Sequence, residues 1–261
     1  MSSTAKFPTE LHLNVAELTV DYFQPIPVVD TVLVVNSCAR EKAVPESDLD
    51  FAILVKPDTA VEEIKHIESG WLAYSTSDTA FLKFKRSSAF AHIHLDIITG
   101  KYQPGTIEPG EPIDFFEVEI GNQVRYAAPM NQPGPYFRQL QIKWLPYYDD
   151  DLRLIRLTAI HNACNYDLDH IPFFIKRGLH FHALDILSKA FQEYLQTLFI
   201  AQRTYPVAYN KWIKEQVVEW LNDEKLYAKL PPILSINNIE SNEINEKAKM
   251  IRDLLNDLNH D

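Results

Sequence analysis

Val35-Asn36-Ser37-Cys38-Ala39-Arg40-Glu41-Lys42-Ala43-Val44-Pro45-Glu46-Ser47-Asp48-Leu49-Asp50-Phe51-Ala52-Ile53-Leu54-Val55 is the stretch that decides how this chain reads. The β-branched run Thr31–Val35 suits a buried strand, and it leads into a polar loop from Asn36 to Ser47. Leu49–Val55 is a second apolar run, ended by Pro57. Aspartate is disfavoured in strands, yet Asp48 and Asp50 sit at the mouth of this one. Spaced i and i+2, they project to one face while Leu49 points to the other. Two ionised carboxylates side by side repel, and a hard divalent cation is the partner that best relieves them. A third carboxylate stands in Ile93-His94-Leu95-Asp96-Ile97. There His94 and Asp96 share the face opposite Ile93, Leu95 and Ile97. An Asp within an apolar strand costs stability unless it is paired or binds metal. If this strand lies beside Leu49–Val55, Asp48, Asp50 and Asp96 converge.

Outward from this centre, two textures divide the chain. Up to about residue 130 it reads as mixed α/β. A helix is expected near Leu11–Phe23, ended by Pro25 and Pro27, and another at Val61–Ser69. Phe81–Lys85 alternates apolar with basic and reads as a half-buried strand. Glu117–Ile120 and Gln123–Tyr126 flank Gly121-Asn122 and read as a hairpin. Met130–Pro135 has the Pro, Gly and Asn of a linker. Beyond it, Leu152–Cys164, Phe181–Ala201, Lys211–Leu221 and Ile244–Leu258 carry apolar residues at helical spacing. In the second of these, Leu184, Leu187, Phe191, Leu195 and Leu198 form one stripe.

The bulk numbers exclude several classes. The chain has 261 residues, a hydrophobic fraction of 46% and a formal net charge of -11. It can build a real core, but it has no global basic field to draw in a polyanion, so long nucleic acid is not expected as a partner. Cys38 and Cys164 are the only cysteines; they form no metal-site spacing and no disulfide framework. No apolar run approaches the roughly 20 residues that span a bilayer. The opening MSSTAKFPTE lacks a basic region followed by an apolar run. A cytoplasmic location is expected. The chain has no Gly-x4-Gly-Lys-Ser/Thr and no Gly-x-Gly-x-x-Gly, so a P-loop or dinucleotide-binding site is not expected.

Asn36-Ser37 followed by Ser47-Asp48-Leu49-Asp50 resembles the Gly-Ser…Asp-x-Asp signature of the nucleotidyltransferase superfamily with a polymerase-beta-like core. Asp96 falls where that family places its third carboxylate. Asn36 stands where the family has Gly; Asn is the next most tolerant residue for positive φ. The helical C-terminal half resembles, more loosely, the second domain of members that adenylylate aminoglycosides and lincosamides. The resemblance implies an α+β fold: a mixed sheet core with flanking helices over residues 1–132, then an α-helical bundle over 133–261 that closes on nucleotide or substrate. It implies Mg²⁺ held by Asp48, Asp50 and Asp96, with ATP or another nucleoside triphosphate as co-substrate and a small-molecule acceptor. Asn36, Ser37, Arg40 and Ser47 would line the phosphate loop, and a basic residue of the helical half, Lys189 first, would help hold the triphosphate. Asp96 would complete the metal site or take the acceptor proton. A homodimer is left open.

Two other functional readings stay beside this one. Asn36 in place of Gly suits a nucleotide-binding regulatory module with weakened turnover, and the helical half could instead dock a protein target for adenylylation. The pairs His92/His94 and His180/His182 have no acidic or Cys partner at a telling spacing for zinc, although His94 shares its face with Asp96. Arg156-x4-His161 resembles the short Arg…His motif of helical ribonucleases that accompany some nucleotidyltransferases as toxins; such a spacing arises easily on an amphipathic helix. Arg177 and Lys211, like the aromatics Tyr194, Phe199, Tyr205, Tyr209 and Trp212, read first as ordinary surface and core.

Overall fold

A computed structural model of the chain describes residues 5–258. The fold is α+β: a small mixed four-stranded sheet with many helices. The chain forms two compact units. One comprises the described part of Met1–Gln103 together with Glu119–Pro146; the other comprises Pro104–Val118 and the described part of Tyr147–Asp261.

The first unit opens with helix α1, Glu10–Phe23, capped by Thr9, whose hydroxyl accepts from the His12 backbone N–H. Strand β1 (Val29–Val34) leads to a one-turn helix α2 (Asn36–Ala39), and β2 (Leu49–Val55) follows. Helices α3 (Val61–Ser77) and α4 (Thr79–Lys85) precede β3 (Ile93–Ile98). The chain then passes through α5 (Phe116–Ile120), which straddles the division, to the two-residue strand β4 (Ala128–Pro129) and α6 (Pro135–Trp144). The sheet order is β3-β2-β1-β4. β1 runs antiparallel to β2 and to β4, whereas β2 and β3 are parallel. Every residue of β2 except Asp50 is fully buried. Val32, Val34, Phe51 and Ile53 pack with Val15, Phe23, Trp71, Phe81 and Phe84 in one core.

Helix α6 belongs to this first unit although it lies beyond the textural boundary expected at residue 132. Its N-terminus is tied to β1: the Asp30 carboxylate accepts from the backbone N–H groups of Tyr136 and Phe137, each at 3.0 Å, and the Thr31 hydroxyl accepts from Gly134. An anion at a helix N-terminus complements the unpaired N–H groups and the helix dipole. A Cβ on Gly134 would run into the Asp30 carboxylate, so this close approach favours glycine.

Two local expectations are corrected. Phe81–Lys85 is not a strand but the body of α4. Asp78 caps it by accepting from Ala80 N–H at 2.7 Å, and Phe81 and Phe84, at i and i+3, both enter the core. Glu117–Tyr126 is not a hairpin. Phe116, Ile120 and Val124 recur every four residues and are all buried, and the chain continues from α5 into a wide turn, Gly121–Arg125, closed by Tyr126 N–H to Gly121 C=O.

The second unit is helical: α7 (Asp150–Lys176), α8 (His180–Ala201), α9 (Glu224–Lys229) and α10 (Glu243–Asp257). Leu187, Phe191, Leu195 and Leu198 of the expected stripe are buried in its core with Leu168, Ile171, Ile251 and Leu255. The expected helix at Lys211–Leu221 is present over residues 213–220, with the wider turns of a π-helix at Glu215–Trp220. Gln216 braces it: its carbonyl accepts from Val207 N–H, and its amide donates to Ala208 and Lys211 carbonyls. Among the described residues no helix is long and apolar enough to cross a membrane.

Candidate metal centre

The centre is built where β2 and β3 begin, and parallel pairing fixes its register. Leu49 N–H donates to His92 C=O at 2.9 Å. From there Leu49 stands opposite Ile93, Asp50 opposite His94 and Ala52 opposite Asp96. Residues paired across a sheet share a face, so Asp50, His94 and Asp96 project to the same side as Asp48. One ligand atom from each of Asp48, Asp50 and His94 lies within 4.8 Å of the others. His94 Nε2 is 3.6 Å from Asp48 Oδ2. Asp48 and Asp50 are half-buried and His94 is exposed.

Asp96 lies two pairs further along, beside Ala52, about 6–7 Å of strand from the Asp50–His94 pair. It is outside the three-residue cluster. Strand β3 is the sheet edge and its outward face is open, so Asp96 is exposed. The desolvation cost that its apolar neighbours suggest therefore does not arise. The structure brings together Asp48 and Asp50 as expected, and sets His94 rather than Asp96 against them.

The turn between β1 and α2 stands next to this cluster in the sheet. Val35 N–H donates to Asp50 C=O at 3.0 Å. Asn36 follows with φ 57, in the left-handed region where glycine is most at ease and Asn next. Cys38 and Ala39 then turn into the core and pin α2, leaving Ser37 and Arg40 half-buried. Ser37 C=O accepts from the N–H groups of Arg40 and Lys42. Burial, then the charges of Asp50 and Asp48, push the Cys38 thiol up to about 12, so it stays a protonated core residue near neutral pH.

Ser47 works within the loop. Its hydroxyl accepts from Val44 N–H at 2.9 Å, and its carbonyl meets His12 Nε2 at 3.0 Å. A carbonyl only accepts, so His12 Nε2 carries a proton and donates it to this bond, while Nδ1 is hydrogen-bonded to the Thr9 hydroxyl at 2.7 Å. His12, buried against the Phe84 ring, thus holds the residue that precedes Asp48. The sequence gives no local sign of this, because the contact joins residues 35 positions apart.

Lys189 sits in the helical unit. Its ammonium is 2.9 Å from Asp167 and 3.3 Å from Glu193, both fully buried carboxylates. Burial opposes the lysine charge, but the Asp167 hydrogen bond and the Glu193 charge outweigh it and raise its pKa. Burial, followed by the charge of Asp167, raises Glu193 to about 8. The lysine ammonium is thus already occupied by Asp167 and Glu193. Arg156 is likewise committed: it pairs with Asp114 and Glu117, the latter 2.6 Å from Nε and itself held by Tyr148 and Gln196. His161, further along the same helix, is bonded to Asn165, and burial lowers its pKa.

No protein-family model matches the chain, and no curated protein matches it.

Proposed function

We propose that this chain is a divalent-metal-dependent nucleotidyltransferase that moves a nucleoside monophosphate, AMP from ATP, onto a hydroxyl of a small molecule. The observation that carries this reading is the convergence of Asp48, Asp50 and His94 on one face, beside the left-handed turn at Asn36. The donor set fits a divalent cation: two half-buried carboxylates with a third donor within reach and one open side. Asp48 and Asp50 would hold Mg²⁺ or a similar ion, which when bound neutralises triphosphate charge and makes a hydroxyl easier to deprotonate. Ser37 and Arg40, at the α2 turn, would bind phosphate oxygens. Asp96, on the same face but outside the cluster, would accept the acceptor's proton. Its exposure suits a base that must meet an incoming substrate. The net charge of -11 favours a small acceptor over a long polyanion.

The test is calorimetric binding of a nonhydrolysable ATP analogue with Mg²⁺, followed by pyrophosphate release with a panel of hydroxyl acceptors. Asp48→Asn with Asp50→Asn is expected to lower metal-dependent nucleotide affinity by more than about tenfold, or 1.4 kcal/mol, with an unchanged circular-dichroism melt. Equal affinity in the double variant would sink the reading.

A further inference from the structure

The geometry points to a mixed nitrogen–oxygen cation site, in which His94 is the third protein ligand and a first-row transition ion such as Mn²⁺ is taken ahead of Mg²⁺. This rests on the proposed metal site and goes beyond it by naming the ligand set and the class of ion.

Three observations carry it. First, the parallel register sets His94 directly opposite Asp50, while Asp96 stands opposite Ala52. The residue beside the paired aspartates is therefore the imidazole, not the third carboxylate. Second, donor atoms of Asp48, Asp50 and His94 all lie within 4.8 Å of one another. Ligands about 2.0–2.2 Å from a common ion lie about 3 to 4.3 Å apart across cis and trans positions. Third, His94 Nε2 and Asp48 Oδ2 are 3.6 Å apart. That is longer than a hydrogen bond and within ion-pair range, so the two groups face each other across a gap that a shared cation can also span. His94 is exposed on an edge strand, so its ring is not held there by core packing.

The chemistry follows from the donor. Mg²⁺ demands oxygen ligands in strict octahedral geometry and parts reluctantly with its waters. Imidazole nitrogen is a borderline donor that first-row transition ions accept more readily than Mg²⁺ does, Mn²⁺ at the weak end of their series and the later ions more strongly, while carboxylates serve both groups. Substituting a nitrogen for a carboxylate oxygen also lowers the negative charge of the ligand set, which weakens its hold on a hard ion. Asp96, not needed as a ligand, is left to act on the acceptor.

The experiment uses the full chain and Mn²⁺ itself. Pulsed electron paramagnetic resonance of bound Mn²⁺ is expected to show coupling to a directly bonded ¹⁴N nucleus. His94→Ala should remove that coupling and weaken Mn²⁺ by about tenfold or more, while Mg²⁺ affinity changes by less than about twofold. Asp96→Asn should keep both the coupling and the affinity. Mn²⁺ that depends on Asp48 and Asp50, but shows no nitrogen coupling and is indifferent to His94→Ala, overturns this inference and leaves the proposed function standing. So does a loss of Mn²⁺ with Asp96→Asn and not with His94→Ala. Binding that survives Asp48→Asn with Asp50→Asn, or no divalent binding at all, overturns both.

Discussion

Asn36 shows most directly how a single residue's backbone sets the candidate site. Its φ of 57 is a conformation that costs most L-residues about 1–2 kcal/mol, and Asn less. Asn36→Gly should therefore stabilise the first unit slightly, by roughly 0.5 kcal/mol, the strain relieved being partly offset by the freer unfolded chain. Asn36→Val should destabilise it by about 1–2 kcal/mol, since a β-branched residue tolerates positive φ worst. Urea midpoints of the two variants check this, and a Val variant as stable as the parent would refute it. At this scale much was legible. The i, i+2 spacing of Asp48 and Asp50 already fixes a shared face, and the tolerance of Asn for positive φ already allows the turn. What was not legible is register. Nothing local says whether Asp50 stands opposite His94 or Asp96, and a two-residue shift of register decides which side chain joins the cluster. The His12 bond to Ser47 is hidden for the same reason, being made only by the folded chain.

At the scale of elements, α7 and α8 are locked by a buried arrangement of two carboxylates and one ammonium. Asp167, Lys189 and Glu193 cannot all be charged without leaving one negative charge uncompensated, and Glu193 keeps its proton up to about pH 8. Its ordinary value is 4.5, so between about pH 4.5 and about pH 8 the folded chain holds a proton that the unfolded chain releases. Stability must then fall as pH rises through that window, because the native state binds more protons than the unfolded state. Glu193→Gln removes this contribution. Urea titrations at pH 5, 6.5 and 8 should show the parent losing stability toward pH 8 and the variant losing less. Parallel curves for the two would refute the assignment. Here the sequence was legible where periodicity was long: the α8 stripe and the β2 run appear as read. It misled where the run was short. Five residues of Phe81–Lys85 satisfy alternation and a helix face alike, and the deciding signal was the cap, Asp78, just before them. In Glu117–Tyr126 the Gly-Asn pair outweighed the four-residue spacing of Phe116, Ile120 and Val124, each of which is buried in the helix and wide turn that form instead.

On the scale of the whole molecule, composition marks a change of texture near residue 130, but the compact units are not cut there. The chain crosses between them after Gln103, Val118 and Pro146. Texture follows local periodicity, whereas membership of a unit follows packing, and α6 is helical in pattern yet packed with the sheet. Its Phe137, Leu140 and Trp144 are all buried, and its N-terminus takes the Asp30 carboxylate of β1. Burying three such side chains is worth about 5–8 kcal/mol as an upper estimate, against a total stability of roughly 5–15 kcal/mol for an ordinary domain. Residues 1–134 lack α6 and leave the Asp30 carboxylate without its backbone donors. Residues 1–146 retain every element of the first unit. The shorter fragment should therefore show no cooperative urea transition by circular dichroism and tryptophan fluorescence, and the longer one should show one. If the two melt at the same midpoint, α6 adds nothing to the sheet, and the boundary belongs where the texture changes.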